Sequence, residues 1–158
     1  MLNLKKSFIS VIVLAVIIAC FTGCNSKNPI TTIDITESTF MSQLTNIQSN
    51  PASYTGKTIK IEGVFEADEH NGHSHYYVYR NASVYDPDHK HDHIQKIGLE
   101  FSYKGNMPKD NDWIEVVGVL RDYTENGHNS LRLEANSVKV LSERGAEMIG
   151  NTEAAHDD

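Results

Sequence analysis

The feature that most constrains the fold is a set of five segments in which apolar and polar residues alternate. In the first, KTIKIEGVFEA, Ile59 and Ile61 alternate with polar neighbours up to Gly63. A period of two is typical of a strand with one buried face. Polar, turn-forming stretches such as Asn71-Gly72 and Asn126-Gly127 lie between the segments. The predicted strands are 57–67, 76–80, 94–103, 113–123 and 130–141.

Glycines inside the first and fourth predicted strands, Gly63 and Gly118, favour a barrel, because a strand without a side chain at one position can bend. A five-stranded Greek-key barrel is an OB-fold. We therefore predict an all-β, OB-like antiparallel barrel of five strands, with the usual helix after its third strand reduced to the loop 104–112. A five-stranded meander with a helix packed on it is the alternative.

One short α-helix is predicted before the barrel, over residues 37–50. Phe40, Met41, Leu44 and Ile47 recur there at spacings of three and four, which gives one apolar stripe. Pro51 follows and ends the helix. Trp113 opens the fourth strand and is expected to anchor the core.

The N-terminus predicts export. Lys5 and Lys6 precede the apolar run 8–21, which is short for a membrane-spanning helix and typical of a secretory signal. The run ends in FTGC, which resembles the bacterial lipobox, so Cys24 is the expected lipidation site. Cys20 is a second candidate, and an uncleaved anchor helix is the alternative. We expect a signal peptide over 1–23, a tether over 24–36, the helix and barrel over 37–142 and a flexible acidic tail over 143–158.

The predicted location is therefore the extracytoplasmic face of the cell membrane. The net charge of the chain limits which classes of partner it can bind. The chain carries 14 basic and 21 acidic residues, a net charge of −7, and loss of the signal peptide makes it more negative. Phosphate binding requires a positive face, so nucleic acid is excluded as a partner, whereas cations suit the balance. Lipidation of Cys24 and removal of Cys20 would leave no thiol, so any transition-metal site has to use histidine and carboxylate.

Two clusters hold six of the eight histidines: EHNGHSH at 69–75 and DPDHKHDH at 86–93. Imidazole is the commonest protein ligand for zinc, copper and nickel. Histidines two apart on an extended segment face one way and can share an ion. The predicted ligands are His70, His73, His75, His89, His91 and His93, with Asp86, Asp88 and Asp92 as secondary ligands or orienting groups, and His128 as an extra candidate.

Strand 76–80 separates the two clusters by ~17 Å, so two sites are expected unless the predicted loop 81–93 folds back. The predicted function is non-catalytic binding of a divalent transition metal, zinc favoured, with a metal transporter or permease as partner. Two solvated loops without function and a pH-responsive surface remain alternatives. Hydrolysis by zinc-bound water with Glu69 or Glu100 as base is disfavoured, because only the residue types suggest it.

The rival function is an interaction module whose barrel face binds a peptide, a glycan or a membrane-protein partner. Four tyrosines in and after the second predicted strand either stack on such a ligand or pack in the barrel: Tyr76, Tyr77, Tyr79 and Tyr85. In this reading the histidines are incidental.

The motifs NPASYTGKTIKIEGVF, YYVYR and DWIEVVGVL, spread over residues 50–140, resemble a recurrent bacterial OB-type domain. It is the nucleic-acid-barrel-like class found in secreted lipoproteins and at the C-terminus of permease-associated membrane proteins. The resemblance implies the fold and an extracytoplasmic location. Permease-associated members carry a cysteine pair and an aspartate after the second strand. Residues 81–93 here contain aspartates and no cysteine, so a cysteine-based function is not implied.

Overall fold

A computed structural model describes residues 31–70, 72–125 and 127–150. Seven strands, one α-helix and two 3-10 turns occur in this part of the chain. Within these residues no helix is long and apolar enough to cross a membrane. The elements are β1 Thr32–Ile35, a 3-10 turn Glu37–Thr39, α1 Phe40–Ser49, a 3-10 turn Pro51–Ser53, β2 Thr58–His70, β3 His73–Asp86, β4 His91–Ser102, β5 Trp113–Glu125, β6 His128–Val140 and β7 Met148–Ile149.

Five of the strands close into a barrel in the order β2-β3-β4-β6-β5. Every pair of neighbouring strands in the barrel is antiparallel except β4 and β6, which are parallel. This is the Greek-key arrangement of an OB-fold. The predicted fold class is therefore confirmed, and a simple meander is ruled out because β6 lies beside β4 as well as β5. A loop without helix joins β4 to β5, as expected.

Gly63 and Gly118 lie where the backbone of a neighbouring strand comes very close. A side chain at Gly63 would collide with the Tyr79 backbone on β3, and one at Gly118 with the Glu134 backbone on β6. The β5–β6 ladder shifts register between Val117 and Gly118, which is a β-bulge. Both glycines therefore allow the close strand approach that closes a small barrel.

Helix α1 covers the barrel core. Phe40, Leu44 and Ile47 are fully buried, which confirms the predicted apolar stripe. Burial of each such side chain stabilises the fold by about 1.5–3 kcal/mol. They pack with barrel residues that include Ile59, Ile61, Phe65, Val78, Leu99, Phe101, Ile114, Val116, Leu120 and Leu133.

Arg80 is a buried cation inside this core, 3% exposed. Its guanidinium carbon lies 4.9 Å from the Phe40 ring centroid and 4.8 Å from that of Trp113. Its Nε donates to the Glu62 carbonyl at 2.9 Å and its Nη1 to that of Ala146 at 3.1 Å. Burial lowers the pKa of Arg80, and the negative charges of Glu37 and Glu62 partly offset this shift. Arg80 thus joins helix, barrel and C-terminal segment, and Trp113, 2% exposed, is the core anchor that was predicted.

Three segments differ from the prediction. Residues 32–35 of the expected tether form β1, parallel to β2, and bury Ile35. Met148–Ile149 of the expected tail forms β7 beside β3 and buries Ile149. The expected loop 81–93 is mostly strand, because β3 and β4 stay paired from Tyr76 and Phe101 to Asp86 and His91. The predicted signal peptide, Cys20, Cys24 and the last eight residues lie outside the described residues.

Candidate functional site

The second histidine cluster lies at the β3–β4 turn. Asp86 pairs with His91, and Val84 with His93, in the antiparallel ladder. Directly paired residues project from the same face. Asp86, His91 and His93 therefore share one face of the hairpin. Lys90 adopts a left-handed conformation, with φ 56°, where the chain reverses.

Asp86 organises this turn through both carboxylate oxygens. Its Oδ1 accepts the backbone N–H groups of Asp88 at 2.9 Å and His89 at 3.1 Å. Its Oδ2 lies 2.7 Å from Nδ1 of His89. The bond from the His89 side chain, its backbone N–H and the nearby His93 lower the pKa of Asp86. The carboxylate thus stays ionised and holds the His89 ring by one nitrogen.

His91 has a similar local partner. Its Nδ1 lies 3.3 Å from the His89 carbonyl oxygen, and the two rings are 5.9 Å apart, centroid to centroid. When Nδ1 donates in both residues, Nε2 is the free acceptor. Both side chains are exposed, that of His89 by 72%. Asp92 pairs with Tyr85 instead, on the other face of the hairpin.

The first cluster is divided by the β2–β3 hairpin. His70 and His73 pair across its tip and are exposed. His75 is 13% exposed and lies between two carboxylates. Its Nδ1 is 3.2 Å from Glu100 Oε1, and its Nε2 is 3.8 Å from Glu125 Oε2. His75 is thus engaged within the protein, unlike His70 and His73, which are exposed.

Tyr123 completes the network around His75. Its hydroxyl donates to Glu100 Oε2, and the Arg132 guanidinium carbon lies 4.5 Å from its ring centroid. Burial, the bond to Glu100 and the charge of that carboxylate raise the pKa of Tyr123 to about 12. Sequence reasoning assigned no role to Tyr123 or Glu125. The four side chains of the network come from three strands, and only Tyr123 and Glu125, two apart on β5, are close in sequence.

The two clusters do not meet. They occupy opposite ends of β3, as the strand between them predicted. His128 pairs with Glu125 at the β5–β6 tip, on the side of the first cluster. Among residues 31–70, 72–125 and 127–150, no three histidine, cysteine or carboxylate side chains already stand where they would hold a metal ion.

A groove of about 1360 Å³ is the other candidate site. Tyr77, Tyr79 and Tyr123 line it. Tyr76 packs on Phe65 instead, with ring centroids 6.1 Å apart. Of the two roles considered for this tyrosine, packing in the barrel is therefore the one observed. The groove is bordered by the C-terminal end of α1, the strands β2 to β6 and the segment 51–55.

The barrel order and the N-terminal helix define an OB-fold protein. A family model, the DUF1980 C-terminal domain, matches residues 24–145, and the chain belongs to that family. No curated protein matches it. Among solved structures it is similar to the dimeric N-terminal domain of the PriB protein from Thermoanaerobacter tencongensis, at 18% identity and a TM-score of 0.32, covering 54% of this chain and 97% of that one. The fold assignment rests on the strand order.

Proposed function

We propose that this protein is a non-catalytic binder of a divalent transition metal, with zinc favoured, and that a lipid on Cys24 holds it at the extracytoplasmic face of the membrane. The signal-like N-terminus supports the location. A metal transporter or permease in the same membrane is the proposed partner. The net charge of −7 favours cations over nucleic acid.

One observation carries the metal proposal: the Asp86 carboxylate lies 2.7 Å from Nδ1 of His89. A carboxylate in this position orients a metal-ligating histidine and makes its other nitrogen a better donor. Nε2 of His89 is left free, and His91 and His93 lie on the Asp86 face of the same hairpin. Three imidazoles match the three or four nitrogen and oxygen ligands that zinc takes.

The proposed site captures its ion with mobile side chains. No three donors already converge in the described residues, so binding has to draw exposed imidazoles together. Exposed side chains change rotamer on the nanosecond scale or faster, so this rearrangement is accessible. His70 and His73 provide a second and weaker position, because His75 is engaged by Glu100 and Glu125.

The test is a calorimetric zinc titration of residues 25–158, which contain every described strand and the core. It is run at about pH 7.5 with a competing chelator and repeated at about pH 5.5, where protons compete for imidazole. Saturable binding is expected at the higher pH and its loss at the lower one. Absence of saturable heat at the higher pH would contradict the metal proposal.

A matched pair of variants locates the site. Replacing His89, His91 and His93 by alanine together is expected to weaken zinc binding by about 100-fold, because it removes all the proposed first ligands. The control replaces His70 and His73 by alanine and should change the affinity by less than about threefold. The reverse pattern would move the site to the β2–β3 tip.

A further inference from the structure

The barrel has an open seam between β4 and β6. These strands pair in parallel over Glu100–Ser102 and Arg132–Glu134, although β4 begins at His91 and β6 at His128. In the described part of the chain, residues 91–99 and 128–131 therefore have no strand partner on the seam side. Unpaired edges present N–H and C=O groups that can pair with another extended chain.

The groove follows this seam. Its lining includes residues 98–100 of β4 and 129–131 of β6. The half-buried side chain of Leu131 lies in it, whereas Ile47 and Leu99, which also border it, are buried in the core. The four unpaired residues of β6 span about 13 Å of strand. An extended segment of about four to six residues matches this length and would cover Leu131.

The groove has a net negative lining, and its charged residues are Glu66, Glu100, Asp122 and Lys96. Lys96 is already neutralised, because its Nζ lies 2.7 and 2.8 Å from the two carboxylate oxygens of Glu66. The remaining negative charge comes from exposed Asp122, which accepts a hydrogen bond from the Thr55 hydroxyl, and from Glu100, which is 13% exposed and contacts His75 and Tyr123. The rings of Tyr77 and Tyr123 add π faces, which attract cationic side chains.

From the open edges and the acidic lining together, we infer that this seam binds an extended, basic segment of a partner protein by strand addition. The backbone of the segment pairs with β4 and β6, and alternate lysine or arginine side chains reach Glu100, Asp122 and the tyrosine rings. Single-stranded nucleic acid would place phosphates against these carboxylates, which is unfavourable. This interaction is independent of the proposed metal site.

The test uses fluorescence anisotropy with a labelled decapeptide of alternating lysine and threonine and residues 25–158 of the protein. Saturable binding of this peptide is expected. The same peptide with methyl groups on its threonine backbone nitrogens keeps every side chain and loses half of its N–H donors, so it should bind at least about 30-fold more weakly. A glutamate–threonine decapeptide and a thymidine oligonucleotide should not bind.

A charge variant of the protein tests the groove itself. Glu100→Gln combined with Asp122→Asn should weaken the lysine peptide about tenfold, since two charge-assisted contacts are lost. The control, Glu134→Gln with Glu143→Gln, removes the same charge from exposed residues outside the groove and should change binding by less than about twofold. Circular dichroism confirms that both variants fold.

Several results would overturn the inference. One is no binding of the lysine peptide up to ~1 mM. A second is equal binding of the methylated peptide, which would mean that the backbone edges are not used. A third is equal weakening by the groove variant and its control, which would reduce the effect to net charge. Preferential binding of the oligonucleotide would assign the groove to nucleic acid instead.

Discussion

The two hairpins that share β3 each carry alternating histidines, His73 and His75 in one and His89, His91 and His93 in the other. In the β2–β3 hairpin, the second histidine lies beside Glu100 and Glu125 and is 13% exposed. In the β3–β4 hairpin all three imidazoles are exposed, and the carboxylate that contacts His89, that of Asp86, is part of the same turn.

The difference shows that spacing alone does not define a ligand set. His75 lies against two carboxylates from other strands, with Nδ1 3.2 Å from Glu100 and Nε2 3.8 Å from Glu125, so its ring is enclosed by the fold. Among the residues that the structure describes, His89 has a partner for Nδ1 only, so its Nε2 is available to a cation. We therefore assign stability to the first arrangement and ligand binding to the second, and the predictions below test that division.

The largest expected effect is on the second hairpin, from Asp86→Asn. The amide oxygen can still accept the backbone N–H groups of Asp88 and His89, so the turn should persist. Loss of the charge next to the His89 ring should weaken zinc binding by about tenfold to 100-fold in calorimetry. Asp92→Asn, on the other face of the hairpin, is the control and should stay within about threefold. Equal effects of the two changes would mean that only net charge matters.

The sequence was sufficient for the barrel and insufficient for its outlying parts. The alternation of apolar and polar residues predicted the five strands, because a strand with one buried face has apolar side chains at every second position. The glycines inside two of them predicted the barrel. The alternation missed β1, although Ile33 and Ile35 alternate, because four residues between polar stretches give a weak signal. In the outer half of the β3–β4 hairpin, residues 91–96 of β4 are exposed and most of residues 81–86 of β3 are only half-buried, so the composition looks like that of a loop even though the backbone is paired.

The site was predictable only where it is local. Asp86 and His89 are three residues apart, and the sequence suggested that aspartates orient the imidazoles. The contacts of His75 with Glu100 and Glu125 join residues 25 and 50 positions apart, which requires the register of three strands. A histidine pattern therefore does not reveal which imidazoles a distant carboxylate will contact, as Glu100 contacts His75.

A smaller effect, on stability rather than binding, is expected from His75→Ala in the first hairpin. The change leaves Glu100 and Glu125 without the imidazole between them and should lower the free energy of unfolding by about 1–3 kcal/mol in urea. Zinc affinity should not change. The control, His73→Ala, affects an exposed side chain and should stay within about 0.5 kcal/mol. Loss of zinc binding in the His75 variant alone would place that residue among the ligands and break the comparison.

The smallest expected effect concerns Tyr123, which supports the same network. The fold raises the pKa of its hydroxyl to about 12, above the ~10 of an unfolded tyrosine, so the native state favours the neutral side chain. The resulting stabilisation is fully present below pH ~10 and is lost as the pH rises toward the folded pKa of about 12.

Tyr123→Phe should therefore lower the free energy of unfolding by about 0.5–1.5 kcal/mol at neutral pH and flatten its decline above pH ~10. Tyr85→Phe, at a half-exposed position away from the network, should leave that decline unchanged. If the decline is as steep in Tyr123→Phe as in the unmodified protein, the Glu100 network does not carry the stability assigned to the first hairpin.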